Sequence, residues 1–87
     1  MSTTALNTKE VHVQYFAVLR EERGLSSETL TTAAVTFRQL YEELAGLHGF
    51  RLPCDKMRVA IDDRFRNWDD ILDDGSTVLL IPPVAGG

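Results

Sequence analysis

Apolar and polar residues alternate where the chain first becomes hydrophobic. In EVHVQYFAVL, Glu10 to Leu19, one face carries Val11, Val13, Tyr15 and Ala17, and the other His12, Gln14, Phe16 and Val18. A period of two marks a β-strand. The second face turns apolar towards Val18, so this strand is expected to start half-exposed and to end covered on both sides. Arg20 to Gly24 reads as a short helical turn stopped by glycine. Ser26 to Ala34 is Thr-rich, with Leu30 among polar neighbours, and reads as a second strand with a wet outer face, paired with the first as a hairpin.

The period then changes. Phe37, Leu40, Tyr41, Leu44, Leu47 and His48 recur at helical spacing, with Arg38, Glu42 and Glu43 on the opposite face. Thr36 stands as the N-cap with Gln39 as the return half of a capping box, and Gly49 ends the helix in the left-handed conformation. After a loop holding Pro53 and Cys54, Met57 to Ile61 is a β run. Asp62-Asp63 is a turn into a short return strand around Phe65, and Asp73-Asp74-Gly75 is a second turn. Thr77 to Ile81 is apolar on both faces, as suits a strand inside a sheet that is covered on both sides.

The order strand, strand, helix, strand, strand, strand implies an α+β roll. Its mixed sheet of four to five strands carries one main helix on one face, and the last strand lies centrally beside the first. The chain divides into a loose polar leader over residues 1–9, a domain over 10–81 and an extended tail over 82–87.

Composition narrows the class. Of 87 residues, 44% are hydrophobic and 25% charged, which suits one folded domain and is too apolar for a disordered chain. Cys54 is the only cysteine, so no internal disulfide can form and a reducing, cytoplasmic setting fits. The leader has neither a basic start nor an apolar stretch of the secretory kind. No apolar run approaches the roughly 20 residues that span a bilayer. A net charge of −4 argues against nucleic acid and anionic membranes as partners, and favours a basic protein.

Most candidate chemistry is weak. His12 and His48 have no Cys or carboxylate at metal-ligand spacing, so no metal is expected. The pairs Asp62-Asp63, Asp69-Asp70 and Asp73-Asp74 suit turns and caps, with docking of a basic partner as their further use. Cys54 lacks an evident activating neighbour and reads as a plain thiol. The sequence carries no phosphate loop, triad or cofactor fingerprint, so no bound cofactor and no autonomous enzyme are expected.

The tail differs. Ile81 runs into Pro82-Pro83, then Val84-Ala85-Gly86-Gly87. Proline fixes φ and pushes the preceding residue towards extended backbone, so the chain leaves the sheet as a stiff stem. Six extended residues reach roughly 20 Å. Gly86 and Gly87 have no Cβ, so such an end can be threaded into a narrow channel. A glycyl carboxylate at Gly87 joined to AMP becomes a mixed anhydride open to a sulfur nucleophile. Chain ends rich in glycine are also commonly inert, so Gly-Gly gains weight only from its Pro-Pro stem.

These segments carry a resemblance: Tyr15-Phe16-Ala17-Val18-Leu19-Arg20-Glu21 with Gly24, the Asp74-Gly75-Ser76-Thr77-Val78 entry to the last strand, and Ile81 to Gly87. From Val11 onward the chain resembles the β-grasp, ubiquitin-like sulfur carriers and, within them, the small subunits of molybdopterin synthase. The resemblance implies a β-grasp fold and a Gly87 carboxylate adenylated by a ubiquitin-activating-like adenylyltransferase that consumes ATP. A sulfur donor protein would then convert it to a thiocarboxylate. Gly86 and the residues Pro82, Pro83, Val84 and Ala85 would thread into the large synthase subunit of a heterotetramer, where sulfur passes to cyclic pyranopterin monophosphate. The catalytic groups would belong to that partner. Phe16, Arg20, Arg66, Leu80 and Ile81 are the candidate partner contacts, with Phe16 and Leu80 alternatively core residues. Carriers for thiamine, cysteine or tRNA thiolation, a ubiquitin-like modifier, and an interaction module with an inert tail remain open beside this reading.

Overall fold

A computed structural model describes residues 8–83 of the chain. The first strand, β1, spans Lys9–Tyr15 and buries Val11, Val13 and Tyr15 on one face. It stops four residues earlier than the alternation suggests. The Phe16 carbonyl accepts from Leu19 N at 3.1 Å, and Ala17 takes φ 52°, a left-handed value that costs a residue with a Cβ on the order of 1 kcal/mol. Val18 and Leu19 therefore enter a helix, α1, Val18–Arg23, which ends at Gly24 in the left-handed conformation. The turn has a physical reason. As a strand, Leu19 would stand roughly 13 Å beyond Tyr15, whereas the turn folds it back into the core, where it is fully buried.

Strand β2, Ser27–Thr32, pairs antiparallel with β1, Val11 facing Leu30 and Val13 facing Glu28. Helix α2, Phe37–His48, starts where the cap predicts, with Thr36 accepting from Gln39 N at 3.1 Å. The return bond is displaced by one residue, because Gln39 Oε1 accepts from Val35 N rather than from the cap itself. Phe37, Leu40, Tyr41 and Leu44 are buried, but Leu47 is 69% exposed. At 100° per residue Leu47 lies about 60° round the axis from Leu44, on the side away from Tyr41, so the last turn rolls it off the sheet. His48 faces inward instead, its ring 5.7 Å from that of Phe50.

A 3-10 turn at Cys54–Lys56 leads into β3, Arg58–Ile61. Asp62 and Asp63, at φ 51° and 69°, form the two-residue mirror-image turn that matches strand twist, and β4, Arg64–Arg66, returns against β3. Strand β5, Thr77–Ile81, lies parallel to β1 and antiparallel to β3, giving the order β2-β1-β5-β3-β4. This is the expected α+β roll with the last strand at its centre, here with five strands. The core lies between α2 and the sheet face carrying Val11, Val13, Tyr15, Val59, Val78 and Leu80, all 2% exposed or less. Among the described residues, no helix is long and apolar enough to cross a membrane.

Candidate functional site

Because β5 is central and parallel to β1, the chain leaves the sheet at the end where β1 finishes, with Tyr15 opposite Leu80. Ile81 pairs with Arg58 on the other side, and Pro82 and Pro83 follow. Pro82 is buried and Pro83 exposed, so the stem is packed down before the chain emerges. Beside this exit lies an open groove of about 370 Å³ lined by Lys56, Met57, Arg58, Phe65, Ile81 and the two prolines, with Asp55 at its rim.

Parity along the strands sets the floor of this region. Register puts Arg58 opposite Ile81, and Ala60 opposite both Leu79 and Phe65, so these residues share the sheet face that turns away from α2. Leu79 and Ile81 are half-buried, and Phe65 is 61% exposed. The Arg58 guanidinium carbon sits 4.9 Å from the centre of the Phe65 ring. A cation over an aromatic face holds both groups in place without withdrawing either from solvent.

The sequence-derived contact candidates do not form one cluster. Leu80 is fully buried on the α2 side and belongs to the core, so it is withdrawn as a partner contact. Phe16 is 36% exposed and follows Tyr15 at the tail-exit end, and Arg20 is exposed on α1. Arg66 is on the helix side: its guanidinium lies 5.5 Å from the Phe37 ring centre and pairs with Asp70 at 3.1 Å. It is thus separated from Ile81 by the thickness of the sheet. Val84, Ala85, Gly86 and Gly87 lie outside the described residues. Sequence reasoning missed Phe65 and Arg58 as members of the exit surface. Their signal was present, since Phe65 is a lone aromatic between two arginines in a short edge strand.

A polar clamp stiffens the same end of the sheet. Arg23 makes a two-pronged ion pair with Glu28 at 2.8 Å, and the Tyr15 hydroxyl donates to Glu28 at 2.6 Å. The hydrogen bonds from Arg23 hold the Glu28 carboxyl down to about 2, and burial, with the adjoining carboxylate, pushes the Tyr15 phenol well above its usual range. The clamp ties α1 to β2.

Elsewhere the polar residues serve the fold. Asp69 pairs with Arg38 at 2.8 Å, which lowers its carboxyl, and Asp70 takes Arg66 and the amide of Asn67. Asp74 accepts from Glu10 N at 2.8 Å. His12 shares a hydrogen bond with Thr29 at 3.0 Å. Cys54 is buried, and burial raises its thiol, which disfavours the nucleophilic thiolate. Among the described residues, no group of three or more His, Cys, Asp or Glu side chains is placed to hold a metal ion.

What this arrangement can do is lead the chain out of the sheet: a central strand runs to Ile81, Pro82 is packed down after it, and an apolar surface with cationic edges lies beside Pro83. Known proteins share the fold. A putative molybdopterin converting factor subunit 1 from Pyrococcus furiosus is 30% identical, with a TM-score of 0.70 over 87% of this chain and 99% of that one. In the structure titled a complex of subunits 1 and 2 of molybdopterin-converting factor from Helicobacter pylori, the matching chain is 26% identical, with a TM-score of 0.59 over 90% and 99%. SAMP1 from Haloferax volcanii, 22% identical with a TM-score of 0.73 over 90% and 99%, has the same fold. The fold is the ubiquitin-like β-grasp. The model of the ThiS family matches residues 13–87, and the chain accordingly belongs to that family of ubiquitin-like sulfur carriers.

Proposed function

We propose that this chain carries sulfur for molybdopterin synthesis on the carboxylate of Gly87. The observation that carries the reading is the family match, which runs from β1 through the Pro-Pro-Val-Ala-Gly-Gly tail. The molybdopterin branch is supported by the likeness to the Pyrococcus furiosus and Helicobacter pylori subunits.

In this reading the carboxylate attacks the α-phosphate of ATP in an adenylating partner, pyrophosphate leaves, and a persulfide carried by a donor protein displaces AMP to form an acyl disulfide. A second thiol then cleaves that disulfide, leaving a thiocarboxylate at Gly87 and a disulfide on the donor. Gly86 lets the end enter both partners' channels, Val84 and Ala85 add reach, and Pro82 and Pro83 restrict its direction. The large synthase subunit then receives the tail and transfers sulfur to cyclic pyranopterin monophosphate. Phe16, Arg20 and Ile81 contact the partners, joined by Phe65 and Arg58. This chain itself binds no cofactor; ATP is spent in the adenylating step.

The test is reconstitution: the thiocarboxylate form is mixed with large subunit and precursor, and molybdopterin is measured. Product formation is the expected result. Failure there, with sulfur delivered in a thiazole or cysteine assay, moves the chain to another carrier pathway. Covalent adducts to lysines of other proteins make it a modifier. Deleting Gly87 is expected to abolish transfer with thermal stability nearly unchanged.

A further inference from the structure

The protein is acidic overall, yet two of the five cations that make no ion pair or side-chain hydrogen bond among the described residues, Lys56 and Arg58, stand beside the exit of the tail. Of nine cationic side chains, Arg23, Arg38 and Arg66 are ion-paired, and Lys9 donates to the carbonyls of Ala34 and Leu72. Lys56 and Arg58 are exposed and make no ion pair or side-chain hydrogen bond among the described residues. Both border the groove whose floor is Met57, Phe65, Ile81 and Pro82. Asp55, also lining it, offsets only one of the two charges.

We infer that this groove takes a segment of a partner protein in which a bulky apolar side chain stands next to a carboxylate. The apolar side chain covers Phe65 and Ile81, and the carboxylate takes the N–H groups of Arg58 and the ammonium of Lys56. Geometry favours this. With its guanidinium carbon over the Phe65 ring and no ion pair or side-chain hydrogen bond among the described residues, Arg58 has N–H donors left to give, and a guanidinium already held in place loses little further freedom on pairing. A basic partner, which the net charge alone suggests, would meet like charge at the place where the tail emerges. The groove is continuous with Pro82 and Pro83, so an occupant sits directly beside the entrance of the channel that takes the tail. The inference rests on the reading of that tail as a transfer end, and it adds the chemistry of the surface around the partner's channel.

The experiment uses the full chain, labelled with ¹⁵N, and two capped tripeptide probes, Asp-Leu-Glu and Lys-Leu-Lys. Asp-Leu-Glu is expected to shift the amides of Met57, Arg58, Phe65 and Ile81, and the combined Lys56→Glu and Arg58→Glu variant to abolish the response. Lys-Leu-Lys is expected to leave these amides in place. An equal response to both peptides, shifts spread elsewhere, or no shift overturns the inference. So does tighter binding of an oligothymidine, which would make the groove a phosphate site, or self-association of the free chain that the same substitutions remove. A second arm follows ATP-dependent thiocarboxylation by the adenylating enzyme. The charge-reversed variant is expected to show a roughly tenfold higher KM, steepest at low salt, while Arg51→Glu, a single charge reversal outside this groove, matches wild type. Unchanged KM in the double variant overturns the inference and leaves the carrier reading intact. A wild-type chain that is never thiocarboxylated sinks the carrier reading, while the peptide titration still decides the groove.

Discussion

The two faces of the sheet come from the same strands and are put to different uses. On the α2 side, Val13, Val59, Val78 and Leu80 are each at 0% exposure and hold the fold together. On the other side, Leu79 and Ile81 are half-buried, and Phe65 stands out in solvent under Arg58. Within β5 the assignment changes at every residue, so Leu79 and Leu80, adjacent and identical, have opposite duties. Stability is concentrated on the covered face. The proposed binding uses the face whose apolar groups the fold does not consume, in keeping with the rule that an exposed apolar patch on a small protein signals a partner.

The sharpest break of this comparison is at that adjacent pair. Leu80→Ala is expected to cost about 3 kcal/mol, as a buried leucine truncated without room to collapse does. Leu79→Ala should cost well under half as much, with chemical denaturation reading both. Similar losses at the two sites would remove the distinction between the faces.

The next effect is at the clamp. Glu28 has a depressed folded-state pKa of about 2 against an ordinary 4.5, so its contribution is complete above pH 4.5 and is lost as pH falls towards about 2. A shift of that size is worth at most about 3 kcal/mol, and solvent around a side chain that is 19% exposed lowers the expected loss to about 2 kcal/mol. Glu28→Gln should flatten the dependence of melting temperature on pH across this window. A variant with the same pH profile as wild type would show the clamp to be decorative.

Smaller still is the helix cap. Thr36→Ala is expected to cost about 1 kcal/mol by loss of the bond to the Gln39 amide, seen in thermal melts. Least of all, Phe65→Ala should change stability by no more than about 0.5 kcal/mol while weakening association with the adenylating enzyme. A large stability loss there would place Phe65 in the core after all.

Much of this was legible in the sequence because its elements have strong periods and both ends of α2 carry caps. Thr77 to Ile81 was bounded by its turn and its prolines, and Asp62-Asp63 by the short return strand. What the sequence could not say followed from competition between packing and pattern. The alternation of β1 continues through Ala17 on paper, but burying Leu19 requires a turn, and that outweighs a left-handed alanine. Leu47 fits the helical stripe by spacing and loses its place because the buried direction rotates in the last turn. The exit surface was harder: Thr77 to Ile81, apolar on both faces, was expected to be covered on both, but only the α2 side is packed and Leu79 and Ile81 stay half-buried. Pairing register identifies the open face, by placing Phe65 and Arg58 with Ile81 and Arg66 behind them.

The central claim is that the carboxylate of Gly87 is a substrate for activation. Intact-mass measurement after incubating the chain with ATP, its adenylating enzyme and a sulfur donor tests it most directly. The account predicts a species in which one oxygen is replaced by sulfur, absent when ATP is omitted and absent from a chain lacking Gly87. A persistent single mass equal to the untreated chain, under conditions where a known carrier is converted, would contradict it.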